Sequence, residues 1–105
     1  MSKPSFDDEV SELKRAKINL ETAQVSWREI ERFFAQGSLI SVDSSLDLVE
    51  VAHAVSDDDV EKIGEYQNKG WVHAVTTEQA KAWQLADAAL WAVVVRPLVL
   101  VQNKA

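Results

Sequence analysis

Apolar residues recur at steps of three and four along most of this chain, then crowd together without that spacing near its end. Trp27, Ile30, Phe33 and Phe34 form one stripe; Val60, Ile63 and Tyr66 form another; Ala80, Trp83, Ala86 and Leu90 form a third. Such spacing lines one face of a helix. A narrower stripe of Phe6, Val10, Leu13, Ala16, Leu20 and Ala23 predicts a further helix from Asp7 to Ala23. Three of these stripes have start signals. Ser26 with Glu29, Ser56 with Asp59, and Thr76 with Gln79 each read as a capping box, in which side chains satisfy amides left free by the first helical turn. Gly37 and Gly70 read as stops, since glycine accepts the left-handed backbone that ends many helices. The predicted helices run from Trp27 to Gln36, Asp57 to Lys69, and Thr77 to Ala89.

The intervening stretches read as strands. Ser38–Val42 and Trp71–Val75 each follow a helix-ending glycine and are rich in β-formers. Leu90–Val101, L-W-A-V-V-V-R-P-L-V-L-V, supplies one long strand or two joined at Arg96-Pro97. Bare, it would pair with copies of itself, so the fold must cover both of its faces. Leu46–Val55 is open between two patterns. Leu48, Val51, Ala52 and Val55 fit a helix with Ser44 and Asp47 as its start signal, whereas Val49, Val51, His53 and Val55 alternate like a strand paired back to Ser38–Val42. Ala52, Ala54 and Glu50 favour the helix. The expected fold is α+β, with four or five helices on one face of a small mixed sheet of three or four strands. It is a single domain over residues 1–105, with residues 1–6 as a tail.

Composition changes this picture little, and charge rather more. Apolar residues are 47% and charged residues 27%, which suits an ordinary globular domain. There is no cysteine, which removes disulfides and thiolate chemistry together. The acidic start M-S-K-P-S-F-D-D-E has no apolar segment of a secretion signal, and no run spans a bilayer, so a cytoplasmic setting is expected. The net charge of −6 is concentrated in residues 38–70, which hold eight acidic and two basic side chains. Such a surface repels phosphate backbones, and Lys14, Arg15 and Lys17 are interrupted by Glu12 and Glu21, so nucleic acid is not an expected partner.

Candidate chemistry is sparse. Glu50-Val51-Ala52-His53 is a Glu-x-x-His that puts two metal-ligand types on one helical face, and Asp57, Asp58 and Asp59 cluster carboxylates suited to hard cations. With one copy of the motif, a metal site would need a dimer, or His73 and the Asp57–Asp59 cluster brought close. The structural reading is favoured for each: acids in a first turn complement the helix dipole, and a single Glu-x-x-His is half of what a di-iron bundle uses. Gly37, Gly64 and Gly70 make no phosphate loop. Of the four tryptophans, Trp27 and Trp83 fit the core. Trp71 and Trp91, at strand starts, are candidates for an exposed interaction patch.

Several blocks resemble a small bacterial family known as domain of unknown function 2288. They are L-E-T-A at Leu20–Ala23, W-R-E-I-E-R-F-F-A-Q-G at Trp27–Gly37, L-D-L-V-E-V-A at Leu46–Ala52, D-D-D at Asp57–Asp59, and W-A-V-V-V-R-P-L-V-L-V-Q at Trp91–Gln102. Leu98 stands where the resemblance leads one to expect an aromatic residue after the proline. The resemblance implies a bacterial, cytoplasmic protein and brings no activity or catalytic residue. The functional expectation is a non-catalytic module that docks a protein partner or forms a homo-oligomer, without cofactor or membrane contact; the sharply acidic middle third suits a basic partner surface. The alternative is a small metal- or ligand-binding enzyme using Glu50, His53, His73 and Asp57–Asp59.

Overall fold

A computed structural model describes residues 22–103 of the chain. In order they form β1 (Ala23–Ser26), α1 (Trp27–Ala35), β2 (Leu39–Val42), α2 (Leu48–Ser56), α3 (Val60–Asn68), β3 (Val72–Ala74), α4 (Thr77–Ala86), β4 (Ala89–Val95) and β5 (Leu98–Gln102). The strands make one mixed sheet in the order β1-β4-β5-β2-β3. Only β2 and β5 run parallel; the other neighbours are antiparallel. The apolar C-terminal run is the β4–β5 hairpin at the centre of the sheet, turning at a cis Arg96–Pro97 peptide.

Strand alternation divides the core in two. Leu39, Leu90, Ala92, Val99 and Val101 face one side and pack under Trp27, Ile30, Ala80 and Trp83 from α1 and α4. Val42, Val72, Val93 and Leu100 face the other and pack under Leu48, Val51 and Ala52 from α2, with Tyr66 of α3 against the same cluster. The first face is aromatic: the Trp27 ring lies 5.9 Å from Phe34 and 6.0 Å from Trp83, both tilted. The second is almost wholly aliphatic.

All four described helices end in one motif, a left-handed residue followed by a backbone bond back to the last turn. Ser38 N donates to Phe33 O (2.9 Å) past Gly37, and Trp71 N to Tyr66 O (2.9 Å) past Gly70, as the two glycines announce. Asp59 N to Ala54 O (2.9 Å) and Ala88 N to Trp83 O (3.0 Å) close the others, with Asp58 and Asp87 in the left-handed position at φ 56° and 49°.

Several expectations are corrected. The sheet has five strands rather than three or four, and helices cover both of its faces rather than one. The missed strand is β1: Ala23 lies in it, not at the end of a helix, because Ala89–Ala92 of β4 offers a ladder to pair with. The rest of the expected helix from Asp7, the tail at residues 1–6 and the basic group Lys14, Arg15 and Lys17 lie outside the described residues. Leu46–Val55 is largely helix, N-capped by Asp47, whose carboxylate accepts from Val49 N at 2.9 Å; Ser44 sits in the preceding turn. Ser56 is the last residue of α2 and not a cap, and α3 begins after Asp59 instead of at Asp57. Helix α4 stops at Ala86, so Leu90 belongs to β4.

Candidate functional site

The two buried polar side chains among the described residues, Ser41 and Gln102, stand at the carboxyl ends of the parallel pair β2 and β5. Gln102 is 2% exposed, and its Nε2 donates to Asp43 O and Leu46 O, each at 2.7 Å. It thereby fixes the β2–α2 loop against the end of β5. Ser41 faces the aromatic side, where its Oγ accepts a 3.0 Å bond from Gln79 Nε2 on α4. Gln79 also completes the capping box: its Oε1 accepts from Thr76 N at 3.0 Å, and its own N donates to Thr76 Oγ1 at 3.1 Å. One glutamine thus starts α4 and ties it to the sheet.

Between α4 and this end of the sheet lies a crevice of about 250 Å³, lined by Ser41, Asp43, Trp71, His73, Gln79 and Trp83 among others. His73 pairs with Ser41 across β2 and β3, so both project on the aromatic face. Its Nδ1 lies 2.8 Å from Ala74 O. A carbonyl can only accept, so Nδ1 carries the proton, and Nε2 of the neutral ring is an acceptor. The Asp43 carboxylate accepts from both the amide and the hydroxyl of Ser45, and these bonds hold its pKa below the ordinary aspartate value. Trp71 is half-buried, with Lys69 Nζ 4.7 Å above its ring.

The expected metal set is not brought together. Glu50 and His53 ride on α2 over the aliphatic face, whereas His73 projects on the aromatic face beyond the sheet. His53 Nε2 is 3.4 Å from Asp57 Oδ2, an ion-pair separation whose geometry makes no hydrogen bond. The three aspartates have separate backbone duties. Asp57 follows the last turn of α2, Asp58 takes the left-handed position, and Asp59 caps α3 by accepting from Lys62 N at 3.2 Å. Among the described residues no three His, Asp or Glu side chains are grouped to hold a metal ion.

The tryptophans divide differently from the helices. Trp27 and Trp83 are core, as their spacing predicts, although Trp27 Nε1 is buried with no hydrogen-bond partner among the described residues. Trp91 is 39% exposed on β4, opposite Gln24 of the edge strand β1. Val94 on the same strand is 54% exposed and points to the other face, past the point where β1 pairs with β4. The sequence reading missed Ser41, Asp43, Gln79 and Gln102. The available signal was a polar residue closing or interrupting an apolar strand, in S-L-I-S-V and V-L-V-Q.

A five-stranded mixed sheet between two helix pairs, with a polar crevice at the end of its parallel strands, defines a small α+β domain. Residues 13–103 match the family described as "Protein of unknown function (DUF2288)", and the chain belongs to that family. It is also similar to a solved structure, the NMR solution structure of PA1075 from Pseudomonas aeruginosa. The two are 40% identical, with a TM-score of 0.78 over 100% of this chain and 94% of that one. No curated protein matches it. No described helix is long and apolar enough to cross a membrane.

Proposed function

We propose that this protein is a non-catalytic interaction module that self-associates through the β1–β4 end of its sheet. The observation that carries this reading is the placement of Trp91 and Val94. Two of the four large apolar side chains exposed among the described residues lie on one strand, one on each face, beside β1, the edge strand of the described sheet. Soluble domains ordinarily blunt such an edge with charge, proline or very short strands. Both edge strands are short, with four residues in β1 and three in β3, so length does not separate the two edges. What marks the β1–β4 end is that Ala23–Ser26 and Ala89–Val95 carry no charge and that Trp91 and Val94 are exposed beside them.

Electrostatics favours a second copy at this end over any other. The excess negative charge lies on α2, α3 and their loops, in Asp43, Asp47, Glu50, Asp57, Asp58, Asp59, Glu61 and Glu65. Two copies of a chain with net charge −6 repel wherever those surfaces meet, and the uncharged β1–β4 end avoids that cost. The same acidic surface argues against nucleic acid. The ligand-binding alternative draws support from the crevice under α4 rather than from Glu50, His53 and the aspartates.

The test is sedimentation velocity on the full chain and on Trp91→Lys/Val94→Lys. Both positions are exposed, so the double variant folds with little loss of stability. A wild-type dimer at about 100 µM that becomes monomeric in the variant supports the proposal; such an association corresponds to roughly 5–8 kcal/mol. A wild type that remains monomeric at that concentration, or a variant that dimerises equally well, would sink it.

A further inference from the structure

We propose that the crevice between α4 and the β2–β3 end of the sheet binds a compact organic cation bearing a guanidinium or amine. Its wall offers acceptors, and among the described residues that line it there is no lysine or arginine. Asp43 supplies a carboxylate. Both Ser45 donors engage its Oδ2, so neither occupies Oδ1. The Nδ1–H bond to Ala74 O leaves His73 Nε2 as a second acceptor in the neutral ring. Asp43 and His73 enter from different elements, the β2–α2 loop and strand β3, so a donor-rich head group has acceptors on two sides.

The remaining wall suits the same chemistry. Trp71 and Trp83 contribute aromatic surface, which attracts cations through the negative face of the ring. The fold already uses that attraction once, setting Lys69 Nζ 4.7 Å from the Trp71 ring centre, with its charge met by Glu65 at 3.5 Å. The volume of about 250 Å³ equals that of about eight liquid waters, enough for a guanidinium and a few methylenes. Anionic ligands such as phosphate meet the Asp43 carboxylate there, and the Lys69 ammonium over Trp71 is already paired with Glu65. The position is also one that ligands favour in α/β sheets, outside the carboxyl ends of parallel strands.

The supporting frame is rigid where it needs to be. Gln102 pins the loop that carries Asp43, and Gln79 pins α4 to Ser41, so the two sides of the crevice are held at fixed separation. Neither contact depends on the β1–β4 end, so this site and self-association stand or fall separately.

The experiment is a two-dimensional amide NMR titration of the full chain with free L-arginine, putrescine, a blocked Gly-Arg-Gly tripeptide, and inorganic phosphate. Saturable shifts confined to Ser41, Asp43, Trp71, His73 and Gln79 with the cations, and none with phosphate, are expected. Asp43→Asn should weaken arginine binding about tenfold, because a charged hydrogen-bond acceptor is replaced by a neutral one. Should Asp43→Asn disturb the Ser45 turn, His73→Ala serves as the second probe. That ring is exposed, and its Nδ1 bonds only to the next residue's carbonyl, so the fold tolerates its loss while arginine binding falls several-fold. Tighter binding of the tripeptide than of free arginine assigns the cation to a side chain of a partner protein; the reverse assigns it to a free small molecule. No saturable shift with any cation, equal shifts with phosphate, or unchanged affinity in both variants would overturn the proposal.

Discussion

The two faces of the sheet solve the same burial problem with different side chains. On the α2–α3 side the core is aliphatic and closed, with Val51, Ala52, Val93 and Leu100 each at 0–1% exposure. On the α1–α4 side two tryptophans and two phenylalanines span the gap, and a crevice remains beside Trp83. Small branched side chains from four neighbouring strands fill space in many small increments. A few large planar rings fill it in blocks, and blocks leave gaps at their margins. Polar groups on the two faces differ accordingly. Gln102, on the aliphatic side, is sealed and saturated by two carbonyls, whereas Ser41 and Gln79 bond to one another at the wall of a space that water can enter.

The largest test of this contrast is Leu100→Ala. The side chain is 0% exposed at the middle of the central hairpin, and its loss opens a void on the closed face. We expect a cost of about 3–5 kcal/mol in urea unfolding, at the upper end for such truncations. A cost below about 1 kcal/mol would mean that this face collapses freely and is not closed.

A paired substitution sharpens the comparison. Gln102→Leu strands two carbonyls of the β2–α2 loop and should cost about 2 kcal/mol. Ser41→Ala also removes a hydrogen bond, but crevice water can replace it for Gln79, so about 0.5 kcal/mol is expected. Equal losses in the pair would erase the distinction between a sealed and a wetted face.

The smallest effect concerns a feature the faces share. Each is roofed by one helix that ends at glycine and one that ends at a left-handed aspartate: Gly37 and Asp87 on the aromatic side, Asp58 and Gly70 on the aliphatic side. Asp87→Gly and Asp58→Gly relieve the backbone and should each raise the melting temperature by about 2–4 °C, equivalent to roughly 0.5 kcal/mol. A fall in either would mean that the carboxylate contributes more than the glycine's freedom returns.

How much of this was legible beforehand depended on whether the determining interaction was local. Helix starts at Ser26 and Thr76 were readable because a capping box closes within four residues. The stops at Gly37 and Gly70 were readable because only glycine takes a left-handed backbone without strain. Asp58 and Asp87 take it too, and no local pattern distinguishes them from first-turn or surface acids; hence the misplaced start of α3 and the overlong α4.

The sequence by itself determined three of the four described helices, α1, α3 and α4, the strand character of Ser38–Val42, Trp71–Val75 and Leu90–Val101, and the need to bury the last of these on both sides; for Leu46–Val55 it favoured helix over strand without deciding between them. Each follows from side-chain period and local backbone preference. Tertiary structure alone decided that Ala23–Ser26 is a strand, since its partner lies more than sixty residues away in β4. It also decided which face each helix covers. Glu50 and His53 were thereby separated from His73, while Ser41, Asp43, His73 and Gln79 were gathered around one crevice. Period places a side chain on one side of its own element, but only the order and direction of strands determine which other elements share that side.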